Sequence, residues 1–335
     1  MSPSSADIGK FINDQLSRWP LAFENFRYLK SVQTRRMQLR GLEVILQHNP
    51  ARIVSSAAKT DRASLSKRPC FLCRENRPKE QVFLPFEGRK GKKYEILVNP
   101  YPIFQNHLVI ASAKHLDQSI WKRYVDMLDL AKTFQDYTFF YNGPACGASA
   151  PDHFHFQATN SGQMPLERDI DSLLEYSRSY PQMDVLQYMT SVQDAHLFYY
   201  NRFATGIFAL RARTAKSMAK LFYRLLDCVP VPEGGSEPGF NLITYYKSGE
   251  YRSIVVFRQS HRSHHYYSEG EDHLTMSPGC ADVAGMFIVP VKADFEKLTP
   301  GLLGEMMDEV TLSREDEAEV IWKLTRTQPL LSVGV

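Results

Sequence analysis

No stretch of this sequence approaches the roughly 18 uninterrupted apolar residues that a helical membrane span requires. The opening Met1-Ser2-Pro3-Ser4-Ser5-Ala6-Asp7 lacks the basic-then-apolar pattern of a secretory signal. Charge of one sign is scarce as well. The 40 Lys+Arg against 37 Asp+Glu leave +3, a weak field where a general nucleic-acid binder carries a clear basic excess. An anionic ligand must therefore be held by a local site. Cysteine is sparse and odd in number: Cys70, Cys73, Cys146, Cys228 and Cys280. A disulfide framework is not expected, a reducing cytoplasm is, and the close pair Cys70/Cys73 reads first as metal-binding or redox. What is present is ordinary for a globular protein: 335 residues, 43% hydrophobic and 23% charged, enough for one large domain or two smaller ones.

Apolar periodicity predicts a helix over 5–30, with Ile8, Phe11, Ile12, Leu16 and Trp19 on one side. Residues 34–66 are basic (Arg35, Arg36, Arg40, Arg52, Lys59, Arg62, then Lys67), which suits a phosphate-facing arm or a solvated connector equally. Strands at 82–87 and 94–99 flank a Gly/Lys turn, the signature of a hairpin with a wet tip. A strand at 107–111, an amphipathic helix at 117–136 and a strand at 137–141 follow. Next come a small-residue loop at 143–151 and a strand at 153–159. Beyond it, a helix at 213–227 precedes a Pro/Gly break at 230–239, and strands are expected at 240–246, 251–257 and 286–291. This rhythm suggests a weak internal repeat. Residues 240–261 would echo 94–115, and 286–291 would echo 153–159 without its histidines, leaving one half catalytic and the other structural.

Strand 153–159 carries the chemistry. Successive side chains on a strand alternate in face, so His153, His155 and Gln157 share one face while Phe154, Phe156 and Ala158 share the other. Three polar groups on one face are costly to bury unpaired. The preceding loop, with Gly147 and Ser149, offers backbone amides and a hydroxyl suited to phosphate oxygens. Cys70-Phe71-Leu72-Cys73 has the two-residue gap that lets both thiolates reach one tetrahedral zinc. The missing ligands should be histidines, with His107, His115, His153 and His155 as candidates. A redox Cys pair is the competing reading, against which stands the lack of a βαβ context. His261, His264 and His265 fit a solvated turn better than a second metal site.

These pieces resemble the galactose-1-phosphate uridylyltransferase branch of the histidine-triad superfamily. The resemblance rests on Cys70-Phe71-Leu72-Cys73, on Asn99-Pro100-Tyr101-Pro102 with His107-Leu108-Val109-Ile110 and Lys114-His115, and on Gly147-Ala148-Ser149 leading to His153-Phe154-His155-Phe156-Gln157. Within the branch the chain is most similar to the GDP-hexose phosphorylases, which include the plant GDP-L-galactose phosphorylases. The resemblance implies an α+β fold of two histidine-triad-like halves, each an antiparallel sheet (half-barrel) with packed helices. The divisions would be an N-terminal helical or extended arm (1–66), a catalytic half (67–175) and a degenerate half (176–335). It implies structural zinc on Cys70, Cys73, His115 and His153. His155 would be the nucleophile, Gln157 a phosphate-oxygen donor, and Asn99, Gly147 and Ser149 substrate contacts. The implied activity is nucleotidyl transfer or phosphorolysis on a GDP- or UDP-hexose through a nucleotidyl-histidine, with phosphate or a sugar-1-phosphate as acceptor. A homodimer would fit the branch. A histidine-triad nucleotide hydrolase and a non-catalytic zinc-containing nucleotide-binding protein are the competing readings.

Overall fold

The computed structural model describes residues 4–58, 61–179 and 183–326; Lys59 of the basic stretch lies outside them. The expected first helix is two, Ser5–Arg18 and Pro20–Leu29. Pro20 opens the second at N1, where its missing N–H costs nothing, and Trp19 between them is extended. The first part of the basic segment is a hairpin rather than an arm or connector. Strands β1 (Gln33–Leu39) and β2 (Leu42–His48) form a hairpin around Arg40-Gly41, both with positive φ (46° and 100°), as a two-residue primed turn requires. Its cations are spent on structure: Arg35 donates to the carbonyls of Phe295 and Leu298, while Arg36 and Arg40 pair with Glu43 and Asp308. Leu42, Val44 and Leu46 alternate inward from β2.

The other strands, in chain order, are β3 (Leu84–Glu87), β4 (Lys93–Val98), β5 (Leu108–Ser112), β6 (Tyr137–Asn142), β7 (His155–Asn160), β8 (Leu186–Val192), β9 (Ala195–Tyr200), β10 (Ile207–Ala212), β11 (Phe240–Lys247), β12 (Glu250–Phe257) and β13 (Met286–Val289). Ten of them make one sheet in the order β3-β4-β5-β7-β6-β11-β12-β10-β9-β8. All its pairings are antiparallel. Read outward from the β6–β11 seam, both halves have the same order, so the protein is two like five-stranded units fused edge to edge. In each, a helix lies between the third and fourth strands: Tyr124–Thr133 in the first, Ala215–Leu226 in the second.

The fold is thus the expected α+β type, but the register of the repeat is corrected. By place in the sheet, β11 and β12 answer to β6 and β7 rather than to β4 and β5. The segment 286–291 answers to nothing in the large sheet, because β13 instead pairs in parallel with β2. Strands β8, β9 and β10 complete the second half without having been assigned from the sequence. One core lies on the face carrying the two helices and takes Phe154, just before β7, and Phe156 and Ala158 from β7. Each buried Phe side chain contributes roughly 1.5–3 kcal/mol. A second core, on the opposite face, joins the second half to the β1–β2–β13 sheet. His155 and Gln157 of β7 therefore face the side on which the small sheet and the 143–151 loop gather. No helix among the described residues is long and apolar enough to cross a membrane.

Candidate active site and metal centre

Strand β7 runs between β5 and β6, with His155 opposite Ala111 and Gln157 opposite Val109 and Phe140. The regular strand begins at His155, two residues later than the alternation predicts, and His153 sits in the bend that enters it. Gln118 braces this entry. Its Oε1 accepts the His155 N–H at 2.8 Å, and its Nε2 donates to the carbonyls of His155 and Asn142 at 3.0 and 2.9 Å. His155 is buried, and its Nδ1 lies 2.8 Å from the carbonyl of His153. A carbonyl only accepts, so Nδ1 carries the proton and Nε2 keeps its lone pair. Burial, opposed by that carbonyl, pushes the imidazole down to about 4, so it is uncharged at neutral pH.

Gln157 is oriented by His107, which has no exposed surface. The N–H of Ile103 donates to His107 Nδ1 at 3.2 Å, which puts the ring proton on Nε2, 2.8 Å from Gln157 Oε1. With its oxygen engaged there, Gln157 has its amide N–H₂ left to donate. Asn99 is set the same way: its Oδ1 accepts from Tyr101 N–H at 3.0 Å, so its amide nitrogen, 3.4 Å from the already protonated His107 Nε2, remains a donor. Burial pushes His107 down to about 3.

His107 is accordingly not in the cysteine cluster. Cys70, Cys73, His115 and His153 are, with one candidate ligand atom from each lying within 4.8 Å of all the others. Nδ1 of His153 is 3.3 Å from Cys70 Sγ and 3.5 Å from Cys73 Sγ, and Nδ1 of His115 is 3.2 Å from Cys73 Sγ. Tetrahedral bonds of 2.0–2.3 Å imply ligand-to-ligand edges of about 3.3–3.8 Å, so this spacing fits one metal ion. Nε2 of His153 lies 2.8 Å from the Ser112 carbonyl, which holds the proton there and leaves Nδ1 bare toward the cluster, the outer-shell arrangement of metal-bound histidines. Burial and the adjacent Cys70 push the Cys73 thiol up to about 11, the reverse of an activated redox cysteine. The four residues can hold a metal.

A cavity of about 690 Å³ opens over His155 and Gln157, and Asn99, Gly147 and Ser149 all line it. Gly147 serves it differently from the expected amide cradle. Its N–H donates to His261 Nδ1 at 3.3 Å, its φ is +92°, and a Cβ there would sit 2.4 Å from Gly279 Cα. Glycine is therefore required for close packing of the loop against 278–279. The His-rich stretch divides. His261 lines the cavity, pushed down to about 4 by burial and by Arg262 and Arg258, while His264 and His265 stand in a single-turn helix in which His264 is exposed and His265 is buried, so the turn is only partly solvated. Arg52 and Arg262 also line the cavity, and Arg52 is held by the Tyr101 carbonyl at 2.9 Å. Sequence reasoning gave no orienting role to His107, Gln118 or His261. A His-rich run and an isolated buried-type His after Asn-Pro-Tyr-Pro were the only signals for them.

A family known only as a domain of unknown function, DUF4922, matches residues 11–160. No curated protein matches the chain. Among solved structures, the fold is similar to yeast Ap4A phosphorylase Apa2, with a TM-score of 0.56 at 14% identity over 88% of this chain and 97% of that one. The same enzyme in complex with AMP gives 0.55 at 14% identity over 93% and 98%. In complex with Ap4A it gives 0.55 at 16% identity over 88% and 97%. At these identities the likeness is one of fold.

Proposed function

We propose that this protein is a nucleotidyltransferase of the phosphorylase kind, acting on a nucleotide conjugate through a covalent nucleotidyl-His155. One observation carries the reading: a neutral, buried imidazole whose Nδ1 proton is tied to the His153 carbonyl, leaving Nε2 as a bare nucleophile in a cavity that also presents the Gln157 amide. Nε2 attacks the α-phosphorus, the N–P bond forms, and the bond from phosphorus to the bridging oxygen breaks. The leaving group departs as a phosphate monoester anion and needs no proton at that moment. An oxygen of the acceptor then attacks the same phosphorus and the N–P bond breaks, restoring His155. Gln157, held by His107, donates to a phosphate oxygen and is neither acid nor base at neutral pH, so it does not activate water, which suits an intermediate that must wait for its acceptor. Asn99 donates to the nucleotide, and Arg52 and Arg262 offset phosphate charge.

Zinc is the ion proposed for Cys70, Cys73, His115 and His153. With four protein ligands it has no open position for substrate, and its contribution would be to fix the chain that delivers His155. The sequence resemblance favours a GDP- or UDP-hexose as donor, with hexose-1-phosphate leaving and inorganic phosphate as acceptor. A dinucleoside polyphosphate is the second candidate donor, supported by the fold shared with a phosphorylase solved with bound Ap4A.

The test is a panel of UDP-, GDP- and ADP-sugars and Ap4A, each with and without phosphate, with products identified and α-labelled donors used to trap the enzyme intermediate. Phosphate-dependent release of a nucleoside diphosphate and an acid-labile label on the protein are expected. His155→Ala should abolish the label and lower exchange by roughly a thousandfold or more. Full exchange by that variant would overturn the assignment, and phosphate-independent release of nucleoside monophosphate would make the protein a hydrolase.

A further inference from the structure

A second cluster of nitrogen and oxygen ligands lies apart from the first. His264 and His265, in the turn His264–Tyr266, face Glu305 and Glu309 on the helix Pro300–Val310. One candidate ligand atom from each of the four lies within 4.8 Å of the others. We infer that these four residues form a second metal site, for a divalent first-row transition ion.

His265 carries the argument. The residue is only 7% exposed, and its Nδ1 lies 3.2 Å from the Asp272 carbonyl, which keeps the ring proton there. Its Nε2 is left with a lone pair, fully buried and without a hydrogen-bond partner, 3.7 Å from Glu305 Oε1. A buried bare imidazole nitrogen is expensive to leave unpaired. A carboxylate has no proton to give it, whereas a metal ion satisfies both. The carbonyl behind the ring is the partner that ligating histidines use to fix their tautomer.

The carboxylates give the same reading independently. Glu305 and Glu309 are four residues apart on one helix face, a like-charge pairing that destabilises an isolated helix. Glu309 is fixed against the turn, accepting from the His264 N–H at 2.7 Å and lying 2.5 Å from His264 Nδ1. The two imidazole rings lie tilted by 36° with centroids 3.9 Å apart, close enough that two imidazolium charges would repel. A cation between the rings and the carboxylates would satisfy His265 Nε2 and offset the like charges of Glu305 and Glu309. Nε2 of His265 and Oε1 of Glu305 lie 3.7 Å apart, close to the edge of about 3.4 Å expected for 2.1 Å bonds, so the exposed Glu305 would need only a small inward swing to close the site. Imidazole with carboxylate suits zinc, manganese or ferrous iron, and it disfavours magnesium and calcium, which prefer oxygen throughout.

The ion would staple the turn to the helix. Immediately before that turn, His261 and Arg262 line the active cavity, and Arg262 donates to the carbonyls of Ser56 and Ala58 across it. The second site would thereby brace the cavity wall that the second half contributes, without touching substrate.

Metal-stripped full-length protein titrated with Zn²⁺ against a chromophoric chelator tests this. The wild type should take up two equivalents, with Mg²⁺ in excess displacing neither. H264Q/E305Q, at two exposed side chains, should take up one and keep its fold by circular dichroism. The second equivalent should raise the melting temperature of the wild type and leave that of the double variant unmoved. Saturation of the wild type at one equivalent, or two equivalents retained by H264Q/E305Q, would overturn the inference.

Discussion

At the residue scale, the segregation of polar and aromatic side chains around one short strand was legible because a strand's period of two is rigid. His153, His155 and Gln157 had to share a face once Phe154 and Phe156 were assigned to the core, and both phenylalanines are fully buried. The partner of Gln157 was not legible. His107 is distant in sequence and was one of four histidines chemically fit for zinc; only the pairing of β5 with β7 brings it to the Gln157 amide. The two roles predict different behaviour for His107→Leu. The substitution removes the donor that holds Gln157 Oε1 and strands the Ile103 N–H, at a stability cost of about 1–3 kcal/mol. We expect kcat to fall roughly 10- to 100-fold, as for a displaced contact, while bound zinc stays unchanged by elemental analysis. Loss of metal along with activity would instead return His107 to the ligand set.

At the element scale, helices and hairpins with clear periodicity were readable, and the errors came where a local pattern fits two partners. The run Met286-Phe287-Ile288-Val289 is a buried strand by composition, but nothing in those residues distinguishes pairing with the large sheet from pairing with β2. The basic residues of 34–40 masked a hairpin because the partners of Arg35 and Arg40, the carbonyls of Phe295 and Leu298 and the Asp308 carboxylate, lie more than 250 residues away, and only Arg36 finds its partner, Glu43, nearby. The 143–151 loop is the instructive case: small residues were read as a phosphate cradle, whereas Gly147 is demanded by positive φ and by contact with Gly279. Gly147→Ala should therefore act on stability before it acts on substrate. We expect a loss on the order of 2–3 kcal/mol from backbone strain and overlap, read from the denaturant midpoint. An unchanged midpoint with weakened phosphate binding would restore the cradle reading.

At the scale of the whole molecule, the two halves are held by a seam that the sequence did not announce. β6 and β11 pair with Asn142 opposite Asn241, and Asn241 Nδ2 donates to Asn142 Oδ1 at 2.8 Å. Beside this seam Glu237, from the second half, accepts the Tyr141 hydroxyl and the Ile120 N–H, both at 2.6 Å and both from the first. It is nearly fully buried, and burial pushes its carboxyl from 4.5 up to about 7 against those hydrogen bonds. The folded protein thus holds this proton more tightly than the unfolded chain. The resulting stability is complete below about 4.5 and drains away as pH rises through about 7. Between pH 6 and pH 8 the loss amounts to about 1.4 kcal/mol, one pKa unit's worth. Gln at this position cannot ionise, yet its oxygen can accept from Ile120 while its amide donates to the Tyr141 oxygen. Urea unfolding of metal-replete wild type and Glu237→Gln at the two pH values isolates the seam, because every other titrating group is common to both proteins. The wild type should lose about 1.4 kcal/mol more than the variant on going to pH 8. Parallel pH dependences would mean that Glu237 is ionised in the folded state and that the seam is held as an ion would hold it, by its surrounding donors.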